Sequence, residues 1–268
     1  MQTFAYFSLS VIGIVVPRIN RFFFSSVIGG IEQQATRKGY QTIICQTHEL
    51  FANEKECLQA LCRTRVAGII MSLSAETTTY THLRKLLEKQ LPLVMFDRVY
   101  EPLSVPSVMI DDYRGAYQAT AHLIENGCKR IVHLGGPQHL NNIYRNRYKG
   151  YCDALTAAGY EISSSLVFFD TLTKERGKEA MKEVLKKNPD GIFAVSDFSA
   201  LGAFEFLREK QVRIPEDVAI VGFANESFTE IMGMSSVEQH PEEMGEIAVN
   251  LLFDLLNSSS GKKEKKHI

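Results

Sequence analysis

Two charged side chains stand in sequence surroundings where they could bind a small molecule. Asp97 follows the apolar run Leu93-Val-Met-Phe96, which reads as a strand, and open α/β sheets hold their ligands beyond the carboxyl ends of strands. An ionised carboxylate offers two acceptor oxygens and suits a ligand rich in hydroxyls. The competing role for Asp97 is the cap of a nearby backbone turn. Arg147, in Arg147-Tyr-Lys-Gly-Tyr151, carries a planar fork that pairs two oxygens at once, as recognition of a sugar, a carboxylate or a purine requires. Its competing role is a salt bridge between two lobes. Other chemistries lack their signatures: the sequence contains no GxGxxG after a strand, no phosphate-binding GxxxxGK[ST] loop and no GxSxG elbow. His122, His133 and His139 are spaced by 11 and 6 residues, which matches no metal motif, so core or surface roles are expected and neither metal nor cofactor is called for.

The chain has 268 residues, 45% hydrophobic and 23% charged, with 30 Lys+Arg against 31 Asp+Glu. Such a length suggests about two domains, and the near-neutral balance argues against a surface that binds nucleic acid as a whole. The five cysteines form no CxxC pattern and read as reduced thiols, mostly small core residues. Val11–Val16 is too short to span a bilayer, and no basic residues precede it as in a secretion signal, so a cytoplasmic protein without a membrane segment is expected.

Short Val/Ile-rich runs alternate with segments of helical period, the pattern of parallel sheets covered by helices. Strands are expected at Val11–Val16, Thr42–Cys45, Val66–Met71, Leu93–Phe96, Ser107–Ile110, Arg130–Leu134, Leu166–Phe169, Gly191–Val195 and Val218–Gly222. A helix is expected from Ser25 to Gly39, another behind an Asn53-x-x-Glu56 capping box, and a third behind Asp112 as cap. The pattern restarts near Asp111, and two βα series imply two sheets with a ligand crevice between them.

At this density of motifs a resemblance emerges. Ile12-Gly-Ile-Val-Val-Pro17, Phe96-Asp-Arg98, Asp111-Asp-Tyr-Arg-Gly115, Arg130-Ile-Val-His-Leu-Gly-Gly-Pro137, Arg147-Tyr-Lys-Gly-Tyr151, Ser196-Asp-Phe-Ser-Ala-Leu-Gly202 and Val237-Glu-Gln239 occur in order along the chain. Together they resemble the effector-sensing region of LacI/GalR-type transcription regulators. The resemblance implies a two-lobed α/β fold of the periplasmic-binding-protein type. Residues 1–110 plus 241–257 would form the N-terminal lobe and 111–240 the C-terminal lobe; 258–268 would be a polar, basic tail after a truncated second lobe. It also implies a homodimeric, allosteric, non-enzymatic sensor of a small effector, most simply a sugar. Met1–Ser10 cannot hold the three helices of the family's DNA-reading domain, so operator DNA would be reached only through a domain outside these residues. An exported solute-binding protein of the same fold and a sugar-acting α/β enzyme are the rival readings.

Carried over residue by residue, the resemblance places Asp97 and Arg147 at ligand-binding positions. It also puts an aromatic that packs on the effector among Phe22, Phe23 and Phe24, with Phe22 and Phe23 ahead and at least one of the three in the core. Asn20 would be their polar neighbour or a turn former. Ser196 replaces the usual Asn and leaves room for a larger ligand or a water, while Asp197 is expected to cap the next helix. Ala224 stands where many relatives carry an effector-gripping Asp, so Asn225 would take part of that task without charge. Gln239 would contact ligand or hold the hinge.

Overall fold

The computed structural model describes residues 10–137, 142–258 and 265–267. In chain order the elements are β1 (Val11–Val16), α1 (Phe22–Arg37), β2 (Gln41–Gln46), α2 (Phe51–Thr64), β3 (Gly68–Met71), α3 (Thr81–Glu88), β4 (Leu93–Phe96) and β5 (Ser107–Met109). There follow α4 (Asp112–Glu125), β6 (Ile131–Leu134), α5 (Asn142–Ala157), β7 (Val167–Phe168), α6 (Lys174–Val184), β8 (Gly191–Ala194), α7 (Asp197–Glu209), β9 (Ala219–Phe223), α8 (Phe228–Met232) and β10 (Ser235–Val237). The chain ends with α9 (Pro241–Asn257) and β11 (Lys265–His267). The chain divides into two compact units, Met1–Ile110 with His240–Ile268, and Asp111–Gln239.

The first unit is a six-stranded sheet in the order β11-β5-β4-β3-β1-β2, with every pair parallel. Side chains alternate across a strand, so Ile12, Ile14 and Val16 face α1 and α9, while Val15, Ile69, Met71 and Met95 face α2 and α3. Both faces are covered, which is why these strands read as unbroken apolar runs. A Cβ on Gly30 would overlap the carbonyl of Glu242, and one on Gly245 that of Val27. These two glycines let α1 and α9 meet backbone to backbone.

The second unit is a five-stranded parallel sheet, β10-β9-β8-β6-β7. Val132, Leu134, Ile192 and Ala194 pack under α6 and α7. Gly177 and Gly202 repeat the close approach between those two helices. On the other face His133 is fully buried among Tyr148, Tyr151, Phe169 and Phe193. Neither ring nitrogen has a partner among the described residues, and burial holds the imidazole neutral, its pKa lowered to about 3. His133 is thus a core residue and His122 a surface one; His139 lies outside the described residues.

Several local expectations are corrected. Helix α1 begins at Phe22, three residues before Ser25. Helix α2 begins at Phe51, and Asn53 is not its cap: the Asn53 amide donates instead to the Thr47 carbonyl at 3.0 Å. Helix α4 is capped by Asp111, whose side chain accepts from the Arg114 N–H at 2.9 Å, which leaves Asp112 free for another role. Part of the polar tail joins the first sheet: Lys265–His267 pairs in parallel with β5, whose outer edge would otherwise present unpaired backbone groups. Lys262–Glu264 lies outside the described residues. All five cysteines are free, but only Cys128 is buried; the other four are half-buried. Among the described residues no group of three or more His, Cys, Asp or Glu could hold a metal ion, and no helix is long and apolar enough to cross a membrane.

Candidate functional site

In the first unit the polar groups gather where β1, β3 and β4 end. Asp97 is the first residue after β4 and adopts a left-handed conformation, φ 56°, that L-residues seldom take. Its N–H donates to Val108 O at 3.0 Å, which ties the bend to β5. The carboxylate is mostly covered; Oδ2 accepts from the Ser72 hydroxyl at 3.4 Å and lies 3.9 Å from Arg98 Nε. Arg98 in turn donates to Glu49 at 2.6 Å, and Glu49 reaches Arg18 at 3.8 Å and accepts from the Ala75 N–H. The result is an alternating chain of charges, Asp97, Arg98, Glu49 and Arg18, along one edge. Backbone strain at Asp97 is held in place by neighbours on both sides, a pattern common at ligand sites.

The phenylalanine run is sorted by helix geometry. Because α1 starts at Phe22, steps of about 100° turn Phe23 and Phe24 inward, and both lie in the core, edge to face with each other at 5.1 Å. Phe24 also packs edge-on against Phe96 at 6.4 Å. Phe23 therefore departs from its expected place at a ligand face: packing on the sheet claims it. Phe22 is 42% exposed, and Asn20, in the bend before it, is exposed as well.

In the second unit the centre is Arg147 on α5. Its Nε and one terminal nitrogen both lie 2.8 Å from Asp112 Oδ1, and the other terminal nitrogen donates to Val195 O at 2.7 Å. The guanidinium carbon sits 3.6 Å from the centre of the Phe223 ring, so the fork is clamped between an acid and an aromatic face. Burial pushes the Asp112 carboxyl up, and the charge and hydrogen bonds of Arg147 oppose that shift. Three of the five N–H donors are thereby engaged, leaving one hydrogen on each terminal nitrogen.

Asp197 does not cap α7; it is the first residue of that helix. Its buried carboxylate accepts from the Glu226 N–H at 2.8 Å and the Ser236 hydroxyl at 2.7 Å, tying the loop after β9 to β10. Burial raises its pKa and these bonds lower it. Ser196 precedes it, with its hydroxyl donating to Leu172 O at 3.3 Å. Ala224 and Asn225 both have positive φ, 124° and 52°. Asn225 is exposed, with its amide donating to Glu238 at 2.7 Å and its carbonyl accepting from Thr229 at 3.0 Å. Gln239 is buried at the end of the unit.

Of the expected residues, Asn20, Phe22 and Asp97 thus lie at the carboxyl edge of the first sheet. Arg147, Ser196 and Asn225 lie around the carboxyl ends of β8 and β9 in the second. Asp112, Phe223 and the Glu49–Arg98 pair were not foreseen. Their signal was available in principle, since each lies within three residues of a strand's carboxyl end or at a helix start, but nothing in the spacing says which residues pair.

Comparison with known proteins bears on this arrangement. The sequence profile described as periplasmic binding proteins and sugar binding domain of LacI family matches residues 9–254. The HTH-type transcriptional regulator RegA of Clostridium saccharobutylicum is 31% identical over 251 residues, 92% of this chain and 75% of that protein. The structure of a transcriptional regulator CelR–cellobiose complex is similar with a TM-score of 0.85 at 31% identity, covering 96% of this chain and 81% of that one. A LacI family transcriptional regulator from Enterococcus faecium with bound ribose has a TM-score of 0.83 at 28% identity, covering 97% and 95%.

Proposed function

The chain belongs to the family of periplasmic binding proteins and LacI-type sugar-binding domains, and from that membership we propose that it senses a small sugar through Asp97 and Arg147. The observation that carries the reading is Asp97: a mostly covered carboxylate, held in a strained backbone conformation at the carboxyl edge of a parallel sheet. Phe22 supplies an exposed ring nearby on the same edge for the apolar face of a pyranose or furanose. Arg147 keeps two N–H groups for ligand oxygens, and Ser196 and Asn225 add neutral hydrogen-bonding groups. The cellobiose and ribose held by two structural relatives support the sugar class.

The protein works as a sensor rather than by turnover. A ligand shifts a conformational equilibrium only by its differential affinity for the two states, so the effector transmits a signal by binding one state of the regulator more tightly than the other. The regulator acts as a cytoplasmic homodimer and reaches operator DNA through a helix-turn-helix part of the protein, a reading that the HTH-type relative supports.

A thermal-shift screen of mono- and disaccharides, sugar phosphates, nucleosides and purines tests the class, since a ligand at 100 times its Kd adds about 2.7 kcal/mol of stability. A sugar is expected to raise the melting temperature, and Asp97→Asn to remove that shift. A response only to purines or nucleosides would overturn the sugar assignment. Steady turnover of the sugar, lost in Asp97→Asn, would replace the sensor with an enzyme.

A further inference from the structure

The face of the first unit built by α2 and α3 carries a groove of about 770 Å³ that none of the residues proposed for the effector lines. Its form follows from helix periodicity. Residues four apart share a helix face, so Leu58 and Cys62 of α2, with Leu86 of α3, make an apolar floor. Lys55 and Arg63 stand along one rim, and Lys85 and Lys89 along the other. No Asp or Glu lines the groove, and among the described residues none of these four cations is in an ion pair. In a chain with a formal net charge of -1, that is a local excess of positive charge over an apolar trough.

The walls are built in advance. His82 Nε2 lies 2.8 Å from the fully buried Glu54 carboxylate, which also accepts from Ser74 N–H at 2.7 Å and the Thr77 hydroxyl at 2.9 Å. This network pins α3 to α2 and to the end of β3. Phe51 closes one end, edge-on to His82 at 5.1 Å and covered by the Lys55 ammonium at 4.7 Å.

We propose that this groove is a docking site for an acidic amphipathic helix of a partner protein, whose apolar residues enter the trough while its carboxylates meet the two lysine and arginine rims. Charge complementarity selects the occupant. From residue 55 to residue 63 of α2 the rim runs about 12 Å at 1.5 Å per residue, long enough for two turns of helix. Cations spread along two rims, over a floor of leucine and cysteine, suit an extended partner with apolar anchors at i, i+4 and i+7. A single compact anion would require the cations to converge on one point. Binding of this kind is steered by charge and weakens as salt screens the rims.

The test uses the whole chain and a fluorescein-labelled synthetic 15-residue helix with leucines at i, i+4, i+7 and i+11 flanked by glutamates, measured by fluorescence anisotropy. Micromolar binding is expected, weakened at least tenfold in the K85E/K89E variant and again by raising the salt. A peptide with lysines in place of the glutamates should bind the native groove poorly and the reversed one better. K55E on the opposite helix should act in the same direction, independently of how well the double variant folds. Equal binding by native and reversed proteins, or none, overturns the proposal. Displacement of the peptide at micromolar concentration by inorganic tripolyphosphate or by a dT20 oligonucleotide would also overturn it, in favour of a small anion or a nucleic acid.

Discussion

Replacing Arg147 by alanine should damage the fold before it damages ligand binding. The guanidinium makes two contacts of 2.8 Å to Asp112 and one of 2.7 Å to Val195 O, with both ionic side chains less than a tenth exposed. Removing one member of a buried, hydrogen-bonded ion pair leaves the other uncompensated and costs about 3–5 kcal/mol. Against a total stability of about 5–15 kcal/mol for a domain, that is a large share. The pH dependence has a definite sign. Burial already raises the Asp112 pKa, and Arg147 is the principal influence that lowers it, so in Arg147→Ala the carboxyl moves up further. A folded-state pKa above the unfolded value means that the native state binds more protons in the window between them. Stability therefore rises as pH falls through the raised pKa. Urea melts should show a deficit of about 3–5 kcal/mol at neutral pH that narrows as the pH is lowered, and Asp112→Asn in the alanine background should recover much of it. A deficit under about 1 kcal/mol, or one flat with pH, would show that Arg147 does not compensate a buried Asp112 charge. Lost ligand binding in Arg147→Ala is accordingly ambiguous. Arg147→Lys keeps a charge beside Asp112 while giving up the fork, so calorimetric titration of that variant with the sugar found in the screen is the cleaner probe. A loss of about tenfold to a hundredfold in affinity is expected there, as for a charge-assisted hydrogen bond of roughly 1.5–3 kcal/mol.

His133 should weaken the protein in mild acid: its folded pKa of about 3 lies below the free value of 6.5, so stability is full above 6.5 and declines below it. Urea melts at pH 7 and pH 5 should differ by up to about 2 kcal/mol more in the native protein than in His133→Phe; equal differences would show that the ring is not held neutral. Phe24→Ala should cost about 3–5 kcal/mol in chemical denaturation, while Phe22→Ala leaves stability nearly unchanged and lowers sugar affinity. Gly245→Ala should lower the melting temperature by forcing α1 and α9 apart, at a cost of about 1–3 kcal/mol; an unchanged melt would show that the helix pair can slide.

The sheets were legible because a parallel strand covered on both sides is nearly all apolar, as Ile12 to Val16 and Leu93 to Phe96 are. Helix starts were less so. Asn53 has the chemistry of a cap and spends it on the Thr47 carbonyl, and the role expected of Asp112 falls to Asp111 one residue earlier. A local signal names residue types able to cap; which of two adjacent acids does so depends on where the remaining one finds a partner. For Asp112 that partner is Arg147, 35 residues away.

Sequence alone determined the class of protein: the alternation of strands and helices from β1 to β9, the position of Asp97 beyond β4 and the presence of Arg147 follow from residue types and their spacing, whereas α8, β10 and β11 did not show in it. Tertiary structure decided which candidates gather at the carboxyl edge of each sheet and which belong to the core. It turned Phe23 and Phe24 inward and left Phe22 open, because α1 runs back through all three and the buried face of Val27 and Ile31 continues onto Phe23 and Phe24. It also aligned Lys55, Arg63, Lys85 and Lys89 along one trough, although nothing in the chain's near-neutral composition singles them out. Periodicity is a property of one element and can be read along a chain; the register between elements is set by packing and exists only once they have met.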